Sequence, residues 1–331
     1  MPSAVRSGAL GHLRATCARF ASGRSPGAGD LAWTAAPERG SVRLARFMVW
    51  LVRGVGWWPG HLLLYPIAAY FLAFSPRQRA AARTYLDRAL GRRAGPRDLF
   101  RLYFAFASTI LDRAFLVAGE AGRYRIEVHG LDALRERIAE GRGCLLFGAH
   151  LGSFEALRAV ADAGCPVEVA VMMHEANAAR LKAVFDALGG PDRAAAVIPL
   201  GTADAMLRAR ECLERGGLVG LLADRAPRGE RTLSVPFLGH PAPLPTGPHV
   251  LAAVLGAPVM LAFGLWRGPR RYEVRFEPFA EAPTPGGRGA EREAAVAERV
   301  RRYAARLEAL CRAHPYNWFN FFYDFWRGDG R

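Results

Sequence analysis

Short apolar runs alternate with amphipathic stretches from about residue 123 onward, and this alternation sets the expected architecture. Strands are expected at 125–129, 143–148, 167–172, 196–200, 217–223, 258–265 and 272–276, where the runs are brief and bounded by turn residues. Helices are expected at 131–140, 154–163, 177–188, 202–215, 247–255 and 289–313, where apolar residues recur at helical spacing. Strand and helix alternating so regularly predict an α/β fold, a layered αβα domain with a largely parallel central sheet. The Pro283-Thr284-Pro285-Gly286-Gly287 segment reads as a surface loop before the last long helix.

Upstream the pattern changes twice. Residues 1–40 are rich in Gly, Ala, Ser, Pro and Arg without sustained apolar periodicity, and are expected to be a poorly ordered extension or the product of a misplaced start codon. They lack the apolar core of a secretory signal. Residues 41–122 form a hydrophobic helical region, and 123–331 the α/β domain. From Gly54 to Ser75 the chain holds no Asp, Glu, Lys or Arg, a length able to span a bilayer. Pro59, Pro66, Gly54, Gly56 and Gly60 interrupt it, so an interfacial or re-entrant helical pair stands beside a true span, with a buried hairpin of the core as a third reading. Trp50, Trp57, Trp58, Tyr65 and Tyr70 are of the type that anchors at headgroup level. A helical pattern between Pro96 and Glu120 carries Phe100, Tyr103, Phe104, Phe106, Ile110, Leu111 and Phe115.

Charge narrows the partners. The 331 residues carry a net charge of +15, and Lys182 is the single lysine among 45 basic residues, which points to coding bias more than to selection for bidentate recognition. A basic surface suits anionic membrane lipids, an acidic carrier protein or nucleic acid. Nucleic acid is set aside because no helix-turn-helix, zinc-finger or RNP-like pattern occurs and the arginines are dispersed. Cys17, Cys144, Cys165, Cys212 and Cys311 are scattered and make no metal spacing, so reduced core thiols are expected.

The candidate chemistry lies at Gly148-Ala149-His150-Leu151-Gly152-Ser153-Phe154-Glu155, where a buried strand gives way to a helix. His150 falls at the corner and Glu155 in the first turns of the helix, where amide dipoles favour an ionised carboxylate. That is the layout of a general base with its orienting acid: a carboxylate on one imidazole nitrogen fixes the tautomer and frees the other. The alternative is a loop histidine that only satisfies its hydrogen bonds, with Glu155 on a solvated face. A metal site is not expected, since no second histidine or cysteine lies in register. His174 lacks a carboxylate at that spacing, and His240 and His249 read as loop and helix residues.

The His-x-x-x-x-Glu motif after an apolar strand resembles the signature of the lysophospholipid acyltransferase superfamily. Further blocks follow in order: Leu222-Ala223-Asp224-Arg225, then Pro236-Phe237-Leu238-Gly239, then Pro245-Thr246-Gly247-Pro248. Together they are similar to the branch that adds acyl chains late in lipid A biosynthesis, over about residue 44 to the end. Asp224-Arg225 departs from the dipeptide common there, and the tail from His314 to Phe321 resembles wider relatives with other acceptors.

The resemblance implies a membrane-associated O-acyltransferase of the bacterial inner membrane, its catalytic domain at 123–331 facing the cytoplasm. It would move a fatty acyl chain from an acyl thioester to a hydroxyl of a lipid A-like or other glycolipid or phospholipid acceptor. Catalysis is assigned to His150 and Glu155, and donor or phosphate binding to Arg225, Asp224, Thr246 and Gly247, with Asn177 as a further polar candidate. The bland alternative for Arg225 is a salt bridge to Asp224 or Glu230, and for Asn177 a helix N-cap. No cofactor is required beyond the co-substrate, acyl carrier protein being favoured over coenzyme A as its carrier. Ser153 is expected to pack or cap, not to act as nucleophile. Corner amides or Arg225 would stabilise the oxyanion. The competing readings are an acyl-thioester hydrolase using the same base on water, and a silent membrane protein that docks a carrier protein; an intact His150 and Glu155 count against the last.

Overall fold

The computed structural model describes residues 54, 56–164, 167–174, 196–202, 204–226, 229–282, 289–321 and 325–326. The expected extension at 1–40 and the expected helix at 177–188, with Asn177, lie outside them.

Three helices lead the described chain: α1 (Trp57–Phe74), α2 (Pro76–Leu90) and α3 (Pro96–Val117). Helix α1 buries Trp57, His61, Leu64 and Ala68, spaced to form one stripe against α3. It leaves Trp58, Leu62, Tyr65, Tyr70 and Phe74 exposed on the other side. It is therefore not a fully buried hairpin, and among the described residues no helix is long and apolar enough to cross a membrane. Asp112 of α3, almost wholly buried, pins α1 in place by accepting from Trp57 Nε1 at 2.8 Å, Tyr124 Oη at 3.0 Å and Tyr272 Oη at 2.8 Å. A buried carboxylate with three donors is satisfied, and removing it would orphan all three. Helix α2 stops at Gly91 in the left-handed region, with Arg88 in its last turn.

The remaining elements are β1 (Arg125–His129), α4 (Leu131–Ala139), β2 (Cys144–Gly148), α5 (Phe154–Gly164), β3 (Val169–His174), β4 (Ala196–Leu200), α6 (Ala205–Glu214), β5 (Leu218–Leu222), β6 (Thr232–Phe237), β7 (His240–Pro245), α7 (Gly247–Leu255), β8 (Val259–Gly268), β9 (Arg271–Ala280) and α8 (Ala290–Ala313). Seven strands form one sheet in the order β1-β9-β8-β2-β5-β3-β4, with β6 and β7 a separate antiparallel pair. Every neighbouring pair of the large sheet is parallel except β8 and β9. The expected mixed α/β fold with a largely parallel sheet is thus present.

Alternation along the central strands builds two cores, one on each face of the sheet. Cys144 of β2, Met260 and Ala262 of β8 and Val274 of β9 meet Leu134 of α4, Ala156 and Val160 of α5 and the C-terminal half of α3. Leu145 and Phe147 of β2, Val219 and Leu221 of β5 and Leu261 and Phe263 of β8 meet α2, α6, α7 and α8. Helices α2 and α3 share these cores with the sheet, so packing is continuous across the boundary expected at residue 122.

Candidate active site

Register brings the key residues together. Gly148 at the end of β2 pairs with Leu222 at the end of β5, so His150 and Asp224 each lie two residues beyond a paired position. Ligand sites of parallel sheets form beyond such strand ends. Ala223 N–H donates to the Gly148 carbonyl at 3.0 Å and Tyr303 Oη to the same oxygen at 2.8 Å, which fixes the two ends.

His150 turns into this corner and is held at both ends of one carboxylate. Its Nδ1 lies 2.9 Å from Asp224 Oδ1, and its backbone N–H donates to Asp224 Oδ2 at 3.1 Å. Trp318 Nε1 also donates to Oδ2, at 2.9 Å, and Arg225 Nε lies 3.6 Å from it. Asp224 has no solvent exposure, whereas the His150 side chain is 40% exposed, so the ring's far edge meets solvent while its partner does not. Burial pushes the Asp224 carboxyl up, but the charge and hydrogen bond of His150, the Arg225 charge and the Trp318 N–H outweigh it and hold the group well below the usual carboxylate range. Asp224 is an anion, and His150 Nε2 has no protein partner among the described residues.

The expectation that Glu155 orients His150 is corrected by this geometry. Gly152 adopts φ +74° and turns the chain, Ser153 caps α5 by accepting the Ala156 N–H at 3.3 Å, and Glu155 enters the first turn facing α3. There it pairs with Arg113 Nε at 2.5 Å and accepts from Ser153 Oγ at 3.3 Å, with no hydrogen bond to His150. Ser153 has the expected capping role and is buried. The corner amides are also committed: Leu151 N–H to Ala149 at 2.6 Å, Gly152 N–H to Asn317 at 2.9 Å and Ser153 N–H to Gly264 at 2.7 Å. Donors for an oxyanion do not come from these amides.

Arg225 stands beside the pair, its Nη2 donating to the Phe319 carbonyl. Thr246 and Gly247 are elsewhere: Thr246 N–H and Oγ1 both reach the Arg231 carbonyl, at 3.0 and 3.1 Å, and Gly247 begins α7. No hydrogen bond or ion pair links either to His150 or Asp224. The parts that residue spacing did not supply are the contact of Asp224 with His150, the Arg113 partner of Glu155 and the indole of Trp318. An Asp directly after a buried strand was the available signal for the first.

The described thiols are unsuited to nucleophilic work, since burial pushes Cys144 up to about 12 and Cys212 up to about 11. Among the described residues no group of three or more His, Cys, Asp or Glu is arranged to hold a metal ion.

Beneath the site, His249 of α7 is 1% exposed, edge-on to Phe147 at 5.2 Å, and neither ring nitrogen has a partner. Burial, with a contribution from the Arg299 charge, pushes its pKa down to about 3. The folded protein keeps this ring neutral while the unfolded chain takes up a proton below about 6.5, so stability falls as pH drops from about 6.5 toward about 3. His249→Phe should flatten that slope in denaturant titrations at stepped pH; an unchanged slope would place the acid sensitivity elsewhere.

An imidazole held by a buried anion, with its second nitrogen open at the carboxyl edge of a parallel sheet, is the equipment of a general base. The chain belongs to the bacterial lipid A biosynthesis acyltransferase family, which it matches over residues 35–327, and it is an acyltransferase. No curated protein matches it.

Proposed function

We propose that the protein moves a fatty acyl chain from an acyl thioester, carried by an acyl carrier protein, to a hydroxyl of a lipid A-like or related glycolipid or phospholipid acceptor. The observation that carries this reading is the solvent-facing Nε2 of His150, backed by an ionised Asp224, in a member of that family. Nε2 takes the proton of the acceptor hydroxyl as its oxygen attacks the thioester carbonyl. Nδ1–H stays on Asp224, which remains ionised and steadies the imidazolium. Collapse of the tetrahedral intermediate breaks the carbon–sulfur bond, and His150 returns the proton to the departing thiolate. The products are one ester and one free thiol, with no enzyme nucleophile. Arg225 contributes a fixed positive charge near the developing oxyanion. Glu155, tied to Arg113, steadies the start of α5. The resemblance gives Thr246 and Gly247 to the donor-binding loop and Asn177 to a polar contact.

The protein works at the cytoplasmic face of a bacterial inner membrane. Helix α1 supports this by exposing Trp58, Leu62, Tyr65, Tyr70 and Phe74 from a segment without charged side chains. A shallow apolar groove lined by Leu72, Pro96 and Phe100 between α1 and α3 is bordered by Arg97 and Arg101, a combination suited to acyl chains below anionic headgroups.

The test is an incubation of the purified protein in phospholipid vesicles with acyl carrier protein thioester and a hydroxyl-bearing lipid A precursor, followed by mass spectrometry. Gain of one acyl mass on the lipid, matched by release of thiol, is expected. Free fatty acid released at the same rate with and without acceptor would replace this reading with hydrolysis.

A further inference from the structure

The segment that follows α8 does more than fill the core. Asn317–Phe319 lies against the corner from Ala149 to Gly152 as a short clasp: Leu151 and Trp318 form an antiparallel bridge, Gly152 N–H donates to the Asn317 carbonyl, and Phe319 N–H donates to the His150 carbonyl at 2.9 Å. The clasp is itself anchored to β8, where the Asn317 amide accepts from Trp266 N–H at 2.7 Å and donates to the Trp266 carbonyl at 3.1 Å. Arg225 seals its far end through the Phe319 carbonyl.

A carboxylate can accept at both oxygens and can swing about its terminal torsion unless both are engaged. Oδ2 of Asp224 is engaged by the His150 N–H and the Trp318 indole, which leaves Oδ1 aimed at Nδ1. The indole in turn cannot move, because it is fully buried among Tyr85, Phe237 and Phe325 at centroid distances of 4.9, 5.4 and 5.2 Å. Tyr303 and Cys311 of α8 also face this carboxylate; burial raises both, so they stay neutral and bring no further charge to it.

We propose that Trp318 is a positioning residue of the active site: its indole N–H locks Asp224 in the orientation that keeps the proton on Nδ1 of His150 and leaves Nε2 free. The inference rests on His150 acting as base. Trp318 touches no reacting atom, so the test needs a signal that loss of packing alone would not move.

That signal is the ring-nitrogen spectrum of His150 in protein labelled with nitrogen-15 histidine and held in detergent micelles, assigned by difference against His150→Gln. In Trp318→Phe, which keeps an aromatic ring and loses the donor, the share of Nδ1-protonated tautomer should fall and kcat should drop roughly tenfold or more, with KM for the acyl donor held within about twofold. Phe276→Leu, which loosens the core on the opposite face of the sheet and touches neither Trp318 nor Asp224, should lower the melting temperature and leave the tautomer unchanged. If Trp318→Phe does not fold, benzothienylalanine placed at 318 replaces the N–H by sulfur in a ring of the same shape and reads the same quantity. A tautomer share and kcat equal to those of the parent protein in the folded donor-free variant would overturn the proposal and leave the acyl-transfer reading intact. A parent protein that acylates no acceptor would remove that reading, while the tautomer shift would still decide the role of the indole.

Discussion

Asparagine at Asp224 will lower kcat for acyl transfer by roughly 10³- to 10⁴-fold, close to the loss from alanine at His150. Asp224 is fully buried and ionised, and its Oδ1 holds the Nδ1 side of His150. An amide at that position offers an N–H where the imidazole needs an acceptor, favouring the tautomer with its proton on the wrong nitrogen, and it removes the charge that steadies the imidazolium. Glu155→Gln will behave differently, because Glu155 bonds to Arg113 and Ser153 and not to the base. Its folded fraction should keep kcat within about tenfold while the melting temperature falls, since a half-buried ion pair loses one partner. Steady-state kinetics beside thermal melts separate the two. A Glu155→Gln enzyme as inactive as Asp224→Asn, at unchanged stability, would return the orienting role to Glu155.

Gly152→Ala will destabilise the protein by roughly 4 kcal/mol or more, enough to lower its melting temperature by about 10 °C. Gly152 sits at φ +74°, and a Cβ built on it would lie 2.0 Å from the Gly264 carbonyl oxygen. Both the torsion and the contact involve backbone, so no side chain can yield. A Cβ on Gly264 would likewise lie 2.2 Å from the Ser153 carbonyl oxygen, so the corner and β8 approach through a pair of glycines. Gly148→Ala is the matched control: its Cβ would meet the Ala262 oxygen and Leu222 Cδ2 at 3.3 Å, a contact that small shifts relieve at a cost of about 1 kcal/mol. Equal melting temperatures for the two variants would show that the corner can rebuild its turn.

Local periodicity was enough for elements that depend on their own sequence. Helix α7 runs from Gly247 to Leu255 as the pattern predicts, and β2 and β5 end within a residue of expectation, because apolar runs bounded by glycine have few other folds. The β6–β7 hairpin is absent from the expected strands, since Pro241, Pro243 and Pro245 disqualify a strand at first sight. In register they face Pro236, Ser234 and Thr232, and the alternate positions carry the ladder, as Thr246 N–H to the Arg231 carbonyl shows one step further on. Prolines at every second position therefore lose no bond. The pairing of His150 with Glu155 failed for a related reason. Spacing sees five residues along the chain, whereas the carboxylate that reaches Nδ1 lies 74 residues away and arrives through the adjacency of β2 and β5.

Synthesis imposes an order on this site. Trp318 follows Asp224 by 94 residues, which at about 5–20 residues per second delays the indole by roughly 5–20 s. Through that interval β2 and β5 can pair, yet Asp224 still lacks its cover and the clasp on His150 is absent. On the mechanism proposed above, His150 is therefore a finished base only after Asn317–Phe319 has docked on its corner.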